Sequence, residues 1–141
     1  MMEAEVIIEI PFYDVDSLNI VWHGNYIKYL EDARCALFSK INYTYDIMGQ
    51  TGYAWPIVTM KIKYIAPGKF MQKIKVKAIL VEYEHRIKMK YIITDASSGS
   101  ILSKAETVQI GVNLQTMESC FSSPPVLIEK IENYLRSKHD S

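Results

Sequence analysis

Three successive segments alternate apolar and polar residues with a period of two, and that alternation narrows the fold more than any other feature of the chain. Val58, Met60, Ile62 and Tyr64 interleave with Thr59, Lys61 and Lys63. Ile74, Val76, Ala78 and Leu80 interleave with Lys73, Lys75 and Lys77, and Ile87, Met89, Tyr91 and Ile93 with Arg86, Lys88 and Lys90. Each pattern is a strand with one buried face. The turn-forming stretches Ala66-Pro67-Gly68-Lys69 and Ser97-Ser98-Gly99 separate strands, so neighbours run antiparallel. Ala4 to Ile10 adds a strand that Pro11 ends. Ser100 to Val112 adds a fifth, with Val108, Ile110 and Val112 as its predicted buried face.

One apolar sheet face needs a cover. Only residues 25–41 are long enough to supply it. Tyr26, Tyr29, Leu30, Ala33, Leu37 and Ile41 recur at steps of three and four, which marks a helix with a broad apolar stripe and Asn25 as its predicted N-cap. Residues 42–52 read as a loop with room for one helical turn. Ser123 as cap, Pro124-Pro125, then Leu127, Ile128, Ile131, Tyr134 and Leu135 predict a short C-terminal helix. The expected architecture is α+β: an antiparallel five-stranded sheet wrapped around one long central helix. It forms a single domain over residues 1–141.

Charge excludes some functions. Sixteen basic and sixteen acidic side chains cancel, so bulk electrostatics favours neither nucleic acid nor a membrane surface. A hydrophobic content of 49% excludes a disordered chain. Cys35 and Cys120 form neither a disulfide framework nor a metal-spaced cluster, so no metal site is expected. Residues 1–10 carry three glutamates and no basic residue, unlike a signal peptide, and no apolar run approaches the ~18 residues of a membrane span. A cytoplasmic protein is expected. The lysines on the strands read most simply as a solvated face paired with Glu5 and Glu9. The functional alternative is docking of a phosphate-bearing ligand or an acidic carrier.

Chemistry concentrates between Phe12 and Tyr26. The stretch Phe12-Tyr13-Asp14-Val15-Asp16 leaves a strand, and Ile20-Val21-Trp22-His23-Gly24-Asn25-Tyr26 enters the central helix. Unpaired N–H groups at a helix start can bind an oxyanion. A neighbouring carboxylate can attack a carbonyl or activate water to do so. Asp14, Asp16 and His23 all lie at this junction. On residue type alone, paired aspartates in a loop are more often turn formers than catalysts.

The same stretch resembles the loop-to-helix motif of the 4-hydroxybenzoyl-CoA thioesterase family, which includes the acyl-CoA thioesterases of the Tol–Pal gene cluster. Phe12, Asp14, Asp16, Ile20, Val21, Trp22, His23, Asn25, Tyr26 and Glu31-Asp32-Ala33-Arg34 carry the likeness. Asn19 stands where that family usually has glycine, and Asn tolerates the left-handed backbone such a turn needs. Trp55-Pro56-Ile57-Val58, Lys63-Tyr64-Ile65-Ala66-Pro67 and Pro124-Pro125 extend it across the chain. The resemblance implies a hot-dog fold and a homodimer or homotetramer with sites at subunit interfaces. It implies hydrolysis of an acyl-CoA or acyl-carrier-protein thioester without a cofactor, coenzyme A being part of the substrate. By position, Asp16 matches the catalytic carboxylate and His23 the residue whose backbone N–H polarises the carbonyl. Tyr26, Trp55 and Thr59 are the expected acyl-pocket residues, with Lys61 and Lys63 the expected contacts to the nucleotide end. A hot-dog dehydratase or hydratase and a non-catalytic acyl-thioester binding module are the competing readings.

Overall fold

The structure is a computed structural model that describes residues 2–139; Met1, Asp140 and Ser141 of the expected domain lie outside them. In chain order the elements are β1 (Glu3–Glu9), α1 (Tyr26–Lys40), α2 (Tyr45–Gln50), β2 (Tyr53–Ala54), β3 (Ile57–Tyr64), β4 (Lys73–Glu82), β5 (Ile87–Asp95), β6 (Ile101–Gln109), β7 (Val112–Asn113) and α3 (Pro125–His139). Five strands form one antiparallel sheet in the order β1-β4-β5-β6-β3, and β2 pairs with β7 in a small second sheet. This is the hot-dog architecture, with α1 as the sausage.

The α1 stripe explains the packing. Leu30, Ala33 and Leu37 are fully buried, and Tyr26, Tyr29 and Phe38 nearly so. The helix lies against β1 and β4, whose inward residues Ala4, Ile74, Val76, Ala78 and Leu80 share its core. Each buried leucine contributes about 2 kcal/mol. Leu127 and Ile131 of α3 join the same core.

Several local expectations need correction. Asn25 does not cap α1 with its side chain; its Nδ2 donates instead to the Asp14 carbonyl at 2.9 Å. Ser123 is likewise occupied elsewhere, its hydroxyl donating to the Tyr83 carbonyl. Val58 is half exposed, because a bulge between Ile57 and Thr59 shifts the phase of β3 there. The fifth strand stops at Gln109, and Val112 belongs to β7.

The buried face of β6 differs most. Ile87, Met89, Tyr91 and Ile93 of β5 face the core, and their cross-strand partners are Gln109, Thr107, Ala105 and Ser103. Residues opposite one another share a face. The core face of β6 is therefore largely polar and carries no apolar period; Val108 is buried as expected, but on the face it shares with Thr59 and Lys88. Thr107 satisfies its hydroxyl on Tyr91 at 2.7 Å. Ser103 is fully buried and its Oγ has no hydrogen-bond partner among the described residues. An unsatisfied buried hydroxyl is a net cost. Ser103→Ala is therefore expected to stabilise the fold by about 1 kcal/mol in urea unfolding. A loss of stability would mean that the hydroxyl has a partner on the core face.

Candidate active site

The segment after β1 folds back on itself as a tight hairpin. Phe12–Asp14 form a single 3-10 turn. Val15 then bridges Val21, and the Asp16 N–H donates to the Ile20 carbonyl at 2.9 Å. The Asp16 carboxylate organises the tip through Oδ1, which accepts from the N–H of Leu18 at 2.9 Å and of Ile20 at 3.4 Å. Asn19 sits at φ +64°, the left-handed conformation that the turn requires. The hairpin docks on the 66–70 turn, where the Val21 N–H donates to the Gly68 carbonyl at 2.9 Å. A side chain at Gly68 would meet the tip of Ile10 at 2.9 Å and Val21 at 3.2 Å, so this close approach favours glycine.

The two aspartates occupy opposite environments. Asp14 is buried, and both its oxygens are engaged: Lys28 Nζ lies 2.6 Å from Oδ1, and the Tyr29 hydroxyl donates to Oδ2 at 2.6 Å. Burial first, then the bond to Asp14, pushes the Tyr29 phenol far above its usual range and keeps it protonated as the donor. The Asp14 carbonyl accepts a further pair of bonds, from the Trp22 N–H and from Asn25 Nδ2. Asp16 is exposed, and its Oδ2 has no hydrogen-bond partner among the described residues.

At the far end of the hairpin, residues 23–25 form a 3-10 turn that leads into α1. The backbone N–H groups of His23 and Gly24 donate to no acceptor among the described residues. They are the free donors expected at a helix start. The His23 ring stacks on Tyr64 with centroids 4.3 Å apart, and the Tyr64 hydroxyl donates to the His23 carbonyl at 3.3 Å. Tyr26 is buried, and its hydroxyl accepts from the Gly68 N–H at 3.1 Å. His23, Tyr26, Tyr64, Ile20 and Pro67 line a cavity of about 270 Å³.

Thus Asp16, His23 and Tyr26 belong to one hairpin–helix junction. The other expected site residues lie elsewhere in the chain. Trp55 is buried, with its indole N–H on the Tyr43 hydroxyl at 3.0 Å, and faces a second cavity beside α2. Thr59, Lys61 and Lys63 stand on the outer face of β3, opposite Val108, Glu106 and Lys104. That face is turned away from Met60, Ile62 and Tyr64. Sequence reasoning missed Tyr64, although its place just before Ile65-Ala66-Pro67 puts it beside the docking turn. It also missed Lys28 and Tyr29, whose signal is their spacing on the first turn of α1 below an acidic loop. Among the described residues, no group of three or more His, Cys, Asp or Glu side chains could hold a metal ion. No helix there is long and apolar enough to cross a membrane.

Comparison with known proteins places this geometry. The family model of the Thioesterase-like superfamily matches residues 10–131. A Bacillus subtilis (strain 168) protein named "Putative acyl-CoA thioesterase YneP" is 29% identical over 76 residues, which cover 54% of this chain and 55% of that protein. The match thus spans about half the length of this curated relative. Among solved structures, a DHNA-CoA thioesterase from Staphylococcus aureus superposes with a TM-score of 0.83 at 23% identity, covering 99% of this chain and 95% of that one. Slr0204, a 1,4-dihydroxy-2-naphthoyl-CoA thioesterase from Synechocystis, gives 0.82 at 19% identity, covering 92% and 95%. These two establish likeness of fold.

The unequal roles of the two aspartates are measurable. Asp14→Ala leaves a buried tyrosine hydroxyl without its acceptor and is expected to lower stability by about 2 kcal/mol in urea. Asp16→Asn keeps the Oδ1 acceptor of the turn and is expected to change stability by less than about 0.5 kcal/mol. Equal losses in both would contradict the division.

Proposed function

The chain belongs to the thioesterase-like superfamily, and on that premise we propose that it hydrolyses an acyl thioester, of coenzyme A or of an acyl-carrier protein, with Asp16 as the reacting carboxylate. The observation that carries this reading is the pairing of a free, exposed Asp16 oxygen with the free N–H groups of His23 and Gly24 at one hairpin–helix junction. The thioester carbonyl sits with its oxygen toward those N–H groups. Asp16 Oδ2 attacks the carbonyl carbon, or takes a proton from a water that does. Negative charge moves onto the carbonyl oxygen, where preorganised donors stabilise it. The C–S bond then breaks and the thiolate leaves with a proton. On the direct route, water releases the acyl group from Asp16 in a second step. The His23 imidazole, stacked on Tyr64, borders the same cavity. No cofactor enters this scheme; coenzyme A is part of the substrate.

Topology supports a two-chain site. β3 is an edge of the sheet and keeps unpaired backbone groups along one side. Its first residue, Ile57, lies two positions after Trp55, and its last, Tyr64, stacks on His23. Within one chain these ends are roughly 24 Å apart. A thioester carbon at His23 therefore cannot place its acyl group beside Trp55 of the same chain. Twofold antiparallel pairing of β3 with β3 of a second copy brings each Trp55 end next to the other chain's Tyr64 end. A homodimer built this way has two composite sites, with Tyr26 and Trp55 as acyl-pocket residues, while Thr59 stands on the outer face beside Lys61 and Lys63. Lys61 and Lys63 then serve the nucleotide end, with Lys90 and Lys104 beside them.

Thiol release from a broad panel of acyl-CoA and acyl-carrier-protein thioesters tests the reading. Wild type is expected to turn over some of them, and Asp16→Asn to lose a hundredfold or more in kcat, on the order expected for a missing catalytic group. No turnover across the panel, with binding retained, would make the chain an acyl-thioester binding module instead. Single turnover in ¹⁸O-water separates the routes: label entering the Asp16 carboxylate identifies nucleophilic attack. Sedimentation velocity is expected to show a dimer or tetramer, and a monomer would overturn the composite site.

A further inference from the structure

The polar face of the sheet is not uniform in charge. On the β1–β4 side the lysines meet acids. Glu5 stands opposite Lys77 and Glu9 opposite Lys73, and Lys77 Nζ lies 3.8 Å from the Glu3 carboxylate. Such pairing is what a solvated edge of a sheet needs. On the β3–β6–β5 side it fails. Lys61, Lys63, Lys90 and Lys104 are all exposed, and none forms an ion pair among the described residues. The one carboxylate among them, Glu106, is taken by Lys88 at 3.0 Å. The row that crosses the sheet from Lys63 reads Lys104, Ile92, Lys77 and only then Glu5, at the opposite edge. Like charges held opposite one another weaken a sheet, so the fold gains nothing from this cluster.

The four lysines rim a shallow hollow of about 380 Å³. Neighbouring strands are about 4.8 Å apart and alternate residues of a strand about 6.8 Å, so the lysine stems stand on a grid of roughly 10 Å by 7 Å. Two features tell against a nucleotide as what this grid recognises. Its three strands present Thr, Lys, Glu, Val and Ile on that face, and no aromatic ring on which a purine could stack. They also present no arginine there, the residue whose planar fork grips a phosphate at two oxygens. Lysines are point charges on flexible stems, suited to carboxylates spread over a surface. Carboxylates one turn apart on a helix repeat at about 5.4 Å, close to the spacing of the grid.

The hollow lies near the reacting end of β3. Lys63 precedes Tyr64, whose ring faces the other way and stacks on His23 at the hairpin–helix junction. A flexible arm that leaves a partner seated on the lysines passes the end of β3 to reach that junction. We propose that this face docks an acidic carrier protein, which brings the acyl group to the junction as a thioester on its phosphopantetheine arm. This rests on the hydrolase reading above and decides between its two thioesters. The carrier meets the whole grid, whereas coenzyme A meets it through its phosphates alone. In the twofold dimer two such faces adjoin along the paired β3 strands and widen the basic surface.

Two double variants with the same change of charge test the face. Lys90→Gln with Lys104→Gln neutralises half of the grid. Lys73→Gln with Lys75→Gln removes two charges on the acid-bearing side. The probe is an acidic acyl-carrier protein in its unacylated holo form, fluorescently labelled, with binding read by anisotropy. Hydrolysis is read with its octanoyl thioester and with octanoyl-coenzyme A. The grid variant is expected to raise the carrier Kd and the carrier-thioester KM about fivefold, and the octanoyl-coenzyme A KM less than about twofold. The control variant is expected to change all three less than about twofold. Added salt is expected to weaken carrier binding, and less so in the grid variant. Equal losses for both thioesters would overturn the proposal and assign the lysines to phosphates. Equal losses in both variants would overturn it too, because binding would then follow net charge alone. Carrier binding without hydrolysis of either thioester would remove the hydrolase reading and leave the docking face standing. Hydrolysis of octanoyl-coenzyme A with no carrier binding would do the reverse.

Discussion

Everything at the junction of β1 and α1 hangs on the buried carboxylate of Asp14. Its two oxygens hold Lys28 and Tyr29 of the helix, and its carbonyl holds Trp22 and Asn25 of the returning chain. One residue thereby ties both arms of the hairpin to the first turn of α1. The consequence is positional. With the hairpin base fixed, the turn at Asp16 can protrude, and the N–H groups of His23 and Gly24 stay without an acceptor among the described residues. The engagement of Asn25 with Asp14 means that its side chain does not cap the N–H groups of the first turn of α1.

The sheet divides into two halves with different tasks. On the β1–β4 side, α1 covers apolar residues and supplies most of the core. Toward β6 and β3 the inward face turns polar, with Ser103, Thr107 and Gln109, and is less fully covered: Met60, Ile62 and Ala105 are only partly buried. Arg34 reaches across to this half through Tyr91. A purely stabilising core would not place a guanidinium and a row of hydroxyls there, because each must be desolvated and then satisfied. The arrangement fits a face that binds something besides its own helix.

Much of the fold was legible because its determinants are local. The alternation in β4 and β5, the stripe on α1 and the left-handed turn at Asn19 follow from side-chain spacing and backbone preference. What escaped depends on pairing between distant segments. The inward face of β6 is set by register with β5, and its polar residues carry no apolar period to read. Val58 fell out of phase through one bulge. In the site, the Asp16 and His23 junction is contiguous in sequence and could be found there. The separation of Trp55 from it could not, because β3 length and edge position decide that distance. Arg34 offers the same lesson: helical spacing suggests Glu31 as its partner, whereas its hydrogen bonds go to two phenols, Tyr45 and Tyr91, that only the tertiary fold brings near.

The outer face of β3, β5 and β6 shows how charge restricts the ways two copies can meet. Lys63 lies directly opposite Lys104, and Lys61 and Lys90 flank Glu106, which is itself paired with Lys88 at 3.0 Å. Like charges opposite one another are unfavourable in a sheet. Five lysines around one glutamate make face-to-face stacking of two such surfaces costly at low ionic strength. Edge pairing of β3 leaves its lysines on a solvent-facing surface, where water and salt screen them better than between two stacked faces. The same charge that disfavours stacking is thus compatible with the edge pairing proposed above. Edge pairing is also the arrangement that spans the roughly 24 Å between the two ends of β3. In the proposed dimer the lysine face then stays in solvent, open to the phosphates or acidic carrier of the proposed substrate.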